Sequence, residues 1–179
     1  GALEVSGTAA LLRRMLETAD LPFEQAVALP GEAFCSPALF ALEWALAKMW
    51  CAFGVTPSWV VGHSAGELVA ACFAGVLSLD DAARLVALRG QLMQALPAGG
   101  AMAAVFASEV QVRARMAGIP GILGFGGINS GDEVVVSGQE PAVRALMDRL
   151  AAEGVRVEQL RVSHASHSPL MQPMVPAFE

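Results

Sequence analysis

A serine between two glycines, placed after a short apolar run and before a helical pattern, constrains the fold of this chain more than any other feature. The apolar, β-branched and aromatic run Ser58–Val61 predicts a buried strand, and Leu68–Ala74 predicts a helix. Between them, Gly62-His63-Ser64-Ala65-Gly66 has the G-x-S-x-G pattern of a strained strand-to-helix turn that exposes a serine hydroxyl. The N–H of Ala65, at the start of the helix, is placed to stabilise an oxyanion. The sequence therefore predicts an α/β fold with Ser64 as a nucleophile.

A serine hydroxyl is a weak nucleophile until a base removes its proton, and the chain has three histidines. His63 is a poor candidate because adjacent side chains on a tight turn point apart. His164 and His167 follow the serine by roughly 100 residues, which suits a site completed by a distant loop. Two alternatives remain for this pair. They are surface histidines of a loop, or an H-x-x-H metal pair that lacks a clear third ligand.

One arginine falls on the apolar side of a predicted helix. In Asp80–Leu96, Arg89 lies four residues after Leu85 and three before Leu92, so these residues share a face. A buried guanidinium is costly unless an anion pairs with it, and its planar fork suits a carboxylate. The alternatives are an internal ion pair or a stem that reaches out to water. Arg84, by contrast, is predicted to be solvated. A serine nucleophile with such an arginine indicates an acyl substrate with a free carboxylate, such as a malonyl group.

Proline and glycine divide the rest of the chain into elements. A helix is predicted at 7–19, and Pro37 opens a stronger one, Ala38–Phe53, which Gly54 ends. From Gly100 onward the order β-α-β-β-α-β matches a ferredoxin-like unit. The predicted strands of this unit are 101–107, 122–128, 133–137 and 155–162, and its predicted helices are 108–117 and 141–154. We therefore expect a large α/β subdomain at 1–99, a small subdomain at 100–162, and a return to the large one at 163–179.

Composition narrows the class of protein. Of 179 residues, 55% are apolar and 16% charged, and the mean hydropathy is +0.53. These values exclude a disordered chain. A membrane span needs about 20 nearly uncharged residues, and the most apolar segment, Ala38–Phe53, is interrupted by Glu43 and Lys48. Because no signal peptide is visible either, we expect a well-buried α/β protein with no membrane partner.

Charge and cysteine usage argue against several kinds of partner and site. The net charge is −6, the pI is about 5.0, and the scattered arginines form no basic patch for nucleic acid. The three cysteines, Cys35, Cys51 and Cys72, are an odd number without C-x-x-C spacing, which argues against a disulfide framework or a zinc site. We expect no bound metal and a reducing, cytoplasmic location.

The motif at 62–67, Gly-His-Ser-Ala-Gly-Glu, resembles the GHSxGE motif of malonyl-CoA:acyl-carrier-protein acyltransferases. More narrowly, the chain is similar to the acyltransferase domains of modular type I polyketide synthases. The similarity covers about residues 35–175 in the family's order. The other stretches that carry it are 36–43, 89–94, 134–138 and 162–174.

The resemblance implies a role for each residue of the site. Ser64 would be the acylated nucleophile, His167 the catalytic base, Arg89 the ligand of the extender carboxylate, and Ala65 the donor of an oxyanion N–H. Further residues implied at the substrate are His63, His164 and Ser166. The implied fold is an α/β-hydrolase-like large subdomain with an inserted ferredoxin-like small subdomain.

The resemblance also implies the reaction and its partners. Malonyl would pass from coenzyme A to Ser64 as an ester, and then to the phosphopantetheine thiol of an acyl carrier protein, with no permanently bound cofactor. Neighbouring synthase domains, such as a ketosynthase, would be further partners. The family's GQG-type segment and its C-terminal region have no counterpart in this sequence. The chain would then be the middle of a longer domain, and we expect it to be unstable or inactive alone.

The segment His164-Ala165-Ser166-His167 combines features of the malonyl-type and the methylmalonyl-type patterns of the family it resembles. Its first histidine is that of the malonyl-type HAFH pattern, and its serine is that of the methylmalonyl-type YASH pattern. A serine in place of phenylalanine leaves more room beside the acyl group. Since an apolar pocket discriminates one methyl group by only about 1–3 kcal/mol, the pattern favours malonyl-CoA with tolerance of methylmalonyl-CoA.

Two other classes of protein share some of these features. An α/β-hydrolase-type esterase or thioesterase has the same serine turn, but its triad needs an acid before the histidine. The available acids, such as Asp132 and Asp148, fall inside the small subdomain, which argues against this class. A non-catalytic module or inactive fragment is the other alternative.

Overall fold

The structure, a computed structural model, describes residues 31–162 and 164–179. The helix predicted at 7–19 lies outside these residues. The described chain falls into two compact units, one extending to Gln94 and one spanning Ala95–Glu179. The prediction that residues 163–179 return to the large subdomain stays a prediction.

The first unit is built from three helices among the described residues. They are α1 (Glu32–Ala52), α2 (Gly66–Phe73) and α3 (Leu79–Gln94). Ser78 begins α3, because its hydroxyl accepts the backbone N–H of Asp81 at 3.1 Å. The helices enclose a small apolar core made of Phe40, Val69, Cys72, Ala82 and Val86.

Helix α1 begins earlier than its proline predicted. The predicted start was Ala38, with Pro37 opening the helix, whereas the helix starts at Glu32 and contains Pro37. A proline inside a helix removes one backbone hydrogen bond. The turn before it is held by another bond, in which the Ser36 hydroxyl donates to the Glu32 carboxylate at 2.9 Å. The other end agrees with the prediction, since Gly54, with a φ of 90°, follows directly after the helix cap.

The strand predicted at Ser58–Val61 is not formed, and that prediction is wrong for this structure. A strand depends on hydrogen bonds to a neighbouring strand, and no described segment pairs with these residues. The side chains predicted to be buried are instead at the surface, with Trp59 90% and Val61 94% exposed. The helix after the serine forms, but it begins at Gly66 rather than at Leu68.

The second unit has the predicted βαββαβ order and is a four-stranded antiparallel sheet covered by two helices. Its elements are β1 (Gly100–Val105), α4 (Glu109–Met116), β2 (Leu123–Ile128), β3 (Val134–Gln139), α5 (Glu140–Ala152), β4 (Val157–Gln159), a 3₁₀ helix (Pro169–Met174) and α6 (Val175–Phe178). The strands lie in the order β2-β3-β1-β4. Strand β4 is shorter than predicted because only 157–159 pairs with β1, at the sheet edge.

The core of this unit lies between one face of the sheet and the helices α4 and α5. Alternate residues of β3, Val134 and Val136, are fully buried there against Val143 and Leu146 of α5. Helix α4 begins with a capping box in which Ser108 and Gln111 bond each other's backbone N–H groups. None of the described helices is both long and apolar enough to cross a lipid bilayer.

Candidate active site

The serine turn has the strained backbone that its sequence predicted. Ser64 has a φ of 54°, in the left-handed region that side chains other than glycine rarely adopt. Gly62 permits this sharp turn, since a Cβ at that position would lie 2.3 Å from the backbone of Glu67. Gly66 is less constrained than Gly62, because a Cβ there would meet only the Glu43 carboxylate, at 3.5 Å. Of the two flanking glycines, only Gly62 is sterically required.

Hydrogen bonds at the turn leave one donor at the helix N-terminus. The Gly66 N–H donates to the His63 carbonyl at 3.0 Å, and the Glu67 N–H donates to the Ser64 carbonyl at 3.1 Å. No described acceptor lies within hydrogen-bond distance of the Ala65 N–H. This N–H stands at the start of α2, where the helix dipole adds positive potential. The turn therefore places the Ser64 hydroxyl beside a backbone N–H that can donate a hydrogen bond to an anion.

Ser64 opens onto a cavity of about 770 Å³ within the first unit. Its walls come from α1, α2 and the segment before the turn, and they are mostly apolar. Representative lining residues are Leu39, Trp50, Val60, Val69 and Phe73, with His63 and Ser64 beside them. Such a wall offers an apolar surface beside the hydroxyl.

Cys72, on helix α2, is the cysteine closest to Ser64 along the chain and an alternative nucleophile. Its side chain is buried in the core of the first unit. Burial raises the pKa of the Cys72 thiol, so the protonated form, which is not nucleophilic, is favoured at neutral pH. Ser64 is therefore the better nucleophile candidate of the two.

His167 lies in an equally strained turn, in the second unit. Its φ is 60°, and among the described residues only Ser64 and His167 combine a side chain with a positive φ. The residue after it, Ser168, caps the 3₁₀ helix by accepting the Leu170 N–H at 3.2 Å. Strain of this kind concentrates at functional sites. The imidazole is exposed, as a base that meets a substrate must be.

The other two candidate residues of this turn face inward. His164 is 8% exposed, and its Nε2 lies 3.3 Å from the Leu96 carbonyl oxygen. Ser166 is half-buried, and its N–H donates to the His164 carbonyl at 3.0 Å. Both residues stabilise the turn that carries His167, and their predicted contact with substrate stays a prediction.

Arg89 is less buried than its spacing predicted. The buried stripe of α3 consists of Ala82, Val86, Gly90 and Met93. Arg89, Leu85 and Leu92 lie at its margin and are half-buried, because one helical step turns them away from the core. None of the ion pairs among the described residues includes Arg89. Arg84 is exposed, as predicted.

The structure thus places the candidate residues in two groups. Ser64, Ala65, His63 and Arg89 belong to the first unit, and the others belong to the second. The second group is His164, Ser166 and His167. Sequence reasoning missed a further residue of the histidine turn, Ser137, whose hydroxyl donates to the Ser166 carbonyl at 2.6 Å. A lone serine in a valine-rich strand was the signal, because a buried hydroxyl needs a partner.

Comparison with known proteins identifies the family. Residues 24–179 match the family described as "Acyl transferase domain". The chain is 54% identical over 150 residues to the mycoketide-CoA synthase of Mycobacterium tuberculosis, covering 84% of this chain and 4% of that protein. It is 46% identical over 136 residues to the erythronolide synthase EryA2 of Saccharopolyspora erythraea, covering 76% of this chain and 4% of that protein.

Solved structures agree with these relatives. The acyltransferase domain from the second module of the salinomycin polyketide synthase is 53% identical, with a TM-score of 0.77, over 82% of this chain and 35% of that one. The malonyl CoA-acyl carrier protein transacylase of Coxiella burnetii is 35% identical, with a TM-score of 0.76, over 82% of this chain and 48% of that one. The chain therefore spans about a third to a half of these solved proteins. It belongs to the acyl transferase domain family, with the α/β fold of polyketide-synthase acyltransferase domains.

Proposed function

We propose that this chain supplies the nucleophile and the base of an acyltransferase that moves a malonyl group from coenzyme A to an acyl carrier protein. One observation carries the proposal. Among the described residues, the two with both a side chain and a positive φ are Ser64 and His167, the pair expected to act as nucleophile and base. Two strained residues at unrelated places in the chain are best explained by a shared chemical role.

The proposed reaction has two halves. In the first, His167 takes the proton of the Ser64 hydroxyl while Oγ attacks the thioester carbonyl of malonyl-CoA. The tetrahedral oxyanion is stabilised by the Ala65 N–H. The carbon–sulfur bond then breaks, and the thiol of coenzyme A leaves with the proton from His167.

The second half runs the same steps in reverse with a new thiol. His167 takes the proton of the phosphopantetheine thiol, and its sulfur attacks the malonyl-Ser64 ester. When the ester bond breaks, Ser64 Oγ recovers a proton from His167. Since the atoms balance with the two thiols and one acyl group, the reaction needs no resident cofactor.

The apolar cavity and the helix dipole beside Ser64 support a serine that attacks acyl groups. A transfer enzyme must exclude water, because water would hydrolyse the acyl-serine ester. The name of one structural relative, the malonyl CoA-acyl carrier protein transacylase of Coxiella burnetii, gives the same donor and acceptor. The proposed partners are an acyl carrier protein and neighbouring synthase domains such as a ketosynthase.

The full-length synthase that carries this chain provides the test. It is incubated with malonyl-CoA labelled in the malonyl group and with its carrier protein. We expect the label on the carrier protein thiol, with little free malonate. Label that accumulates as free malonate instead would support a serine hydrolase and contradict the proposal.

Arg89 is proposed to bind the malonyl carboxylate. A guanidinium binds a carboxylate through two parallel hydrogen bonds, and Arg89 is half-buried with no carboxylate partner among the described residues. Arg84, on the same helix and exposed, provides a matched control.

The Arg89→Ala variant should lose malonyl transfer by about 10²-fold, because a charge-assisted pair contributes about 1.5–3 kcal/mol or more in a partly buried site. Transfer of acetyl groups, which carry no charge, should fall far less. The kcat/KM for malonyl divided by that for acetyl should therefore fall strongly. The Arg84→Ala control should keep both rates. Equal losses of malonyl and acetyl transfer in Arg89→Ala would assign Arg89 a structural role.

The proposed extender unit is malonyl, with tolerance of methylmalonyl. Ser166 is a small side chain next to the base in sequence, and its carbonyl and N–H both have partners within the second unit. A small residue there leaves room for one methyl group, and an apolar pocket separates the two substrates by only about 1–3 kcal/mol.

A further inference from the structure

The hydroxyl of Ser137 is an unusual group for the place it occupies. Ser137 is on β3, between Val136 and Gly138, and is 0% exposed. A buried hydroxyl is costly unless it is hydrogen-bonded. Its partner is neither the sheet nor a helix, but the Ser166 carbonyl oxygen, at 2.6 Å. The bond therefore joins a fixed strand to the turn that carries His167.

Strand β3 is a rigid base for such a contact. It lies inside the sheet, where Ser137 is paired with Met102 of β1 on one side and with Gly124 of β2 on the other. Both backbone neighbours hold the position of the Ser137 Cα, and its hydroxyl points to the sheet face opposite Val134 and Val136.

The histidine turn packs closely on that same sheet face. A Cβ at Gly100 would lie 2.6 Å from the Ala165 nitrogen, so the turn approaches the sheet backbone itself. Ala165 is buried, and its carbonyl accepts the Ser168 hydroxyl at 2.7 Å. Ala165 thus holds the turn against the sheet directly before Ser166, and the Ser168 hydroxyl closes the turn on itself.

The hydrogen bond from Ser137 to the Ser166 carbonyl fixes the peptide plane from which His167 projects. The Ser166 carbonyl and the His167 N–H belong to a single planar peptide unit. When Ser137 fixes this plane, the φ of His167, 60°, fixes where its Cβ points, and the imidazole projects from that Cβ. A strained φ persists only when its surroundings hold it there, and Ser137 supplies one hydrogen bond, from outside the turn, to the peptide unit that includes the His167 nitrogen.

We propose that Ser137 is the positioning residue of His167, acting through the Ser166 carbonyl. The proposal rests on the proposed function, in which His167 is the base. Ser137 touches neither substrate nor the reacting atoms in this role. Its loss should therefore reduce the chemical step while leaving the binding of malonyl-CoA nearly unchanged.

The test measures malonyl transfer to the carrier protein by the full-length synthase. For Ser137→Ala we expect kcat to fall about 10- to 100-fold, since a small misplacement of a catalytic group has effects of that size, and KM for malonyl-CoA to stay within about twofold. Ser137→Cys keeps a weak donor of similar shape and should give an intermediate kcat. His167→Ala should be inactive.

Val136→Ala is the matched control. Val136 neighbours Ser137, is equally buried, and faces the helices instead of the turn. Its truncation should lower the thermal stability more than Ser137→Ala does, yet keep kcat within about threefold, because it loosens the core without touching the turn.

The outcomes separate the two claims. A kcat of Ser137→Ala within twofold of the unmodified enzyme, with His167→Ala inactive, overturns the positioning role and leaves the proposed function standing. Equal losses of kcat in Ser137→Ala and Val136→Ala also overturn it, because general loosening would then explain both. Activity in His167→Ala removes the base assignment, and the positioning role with it.

Discussion

Replacement of Ser64 by alanine in the full-length synthase should abolish covalent loading with malonyl and reduce transfer to the carrier protein by at least about a thousandfold. Loss of a nucleophile removes the acyl-enzyme pathway entirely, and only the slow background reaction is left. Alanine at position 64 must adopt the same positive φ as Ser64, so the stability of the variant must be measured together with its activity. Loading is measured with labelled malonyl-CoA after denaturation of the protein.

Ser58→Ala is the control for this variant. Ser58 lies shortly before the turn and is exposed, and the proposed mechanism gives its hydroxyl no role. It should load at the normal rate. Label that persists in Ser64→Ala would place the acyl group on another residue and refute the proposed nucleophile.

Replacement of Gly62 by alanine should have the second largest effect, although no chemistry is assigned to this residue. The new Cβ would lie 2.3 Å from the backbone of Glu67 and 2.4 Å from that of Gly66. No rotamer relieves a clash with backbone, so the turn must open, and we expect a loss of about 2–3 kcal/mol or more in the free energy of unfolding. Ser64 would move with the turn, and loading should fall at least about 10²-fold.

Gly66→Ala provides the comparison within the same motif. Its Cβ would meet only the Glu43 carboxylate at an ordinary contact distance, and α2 begins at this residue. Alanine is a better helix former than glycine, so the Tm of this variant should be unchanged or slightly higher. Similar destabilisation by both variants would mean that the turn does not have this geometry.

Much of the second unit follows from the sequence because its signals are local. The capping pair Ser108 and Gln111, the turn at 129–132 and the alternating valines of β3 each specify structure within a few residues. Their order leaves only a few topologies, and the ferredoxin-like arrangement is the one observed.

The first unit was predicted less well because its structure depends on distant partners. The apolar run Ser58–Val61 has the composition of a strand, but a strand needs a neighbour that composition does not identify. The start of α1 was misplaced because a proline usually opens a helix, and the bond from Ser36 to Glu32 that supports the earlier turn involves residues before the proline.

In the candidate site, too, some features follow from local sequence and others depend on distant partners. The motif predicted the strain at Ser64, because a serine in this turn has a positive φ wherever the turn occurs. Nothing in the sequence near His167 indicates that it too has a positive φ, since Gly100 and Ser137, which contact Ala165 and Ser166 of its turn, are far away in the chain. The margin position of Arg89 also depends on which residues of α3 meet a partner helix.

The most direct test of the central claim is to locate the acyl group on the protein. The full-length synthase is incubated with malonyl-CoA without carrier protein, quenched in acid and digested, and the peptides are analysed by mass spectrometry. The peptide that contains Ser64 should carry the mass of one malonyl group, and fragmentation should place it on Ser64. The same peptide without added mass, or a malonyl group on another residue, would contradict Ser64 as the acylated nucleophile.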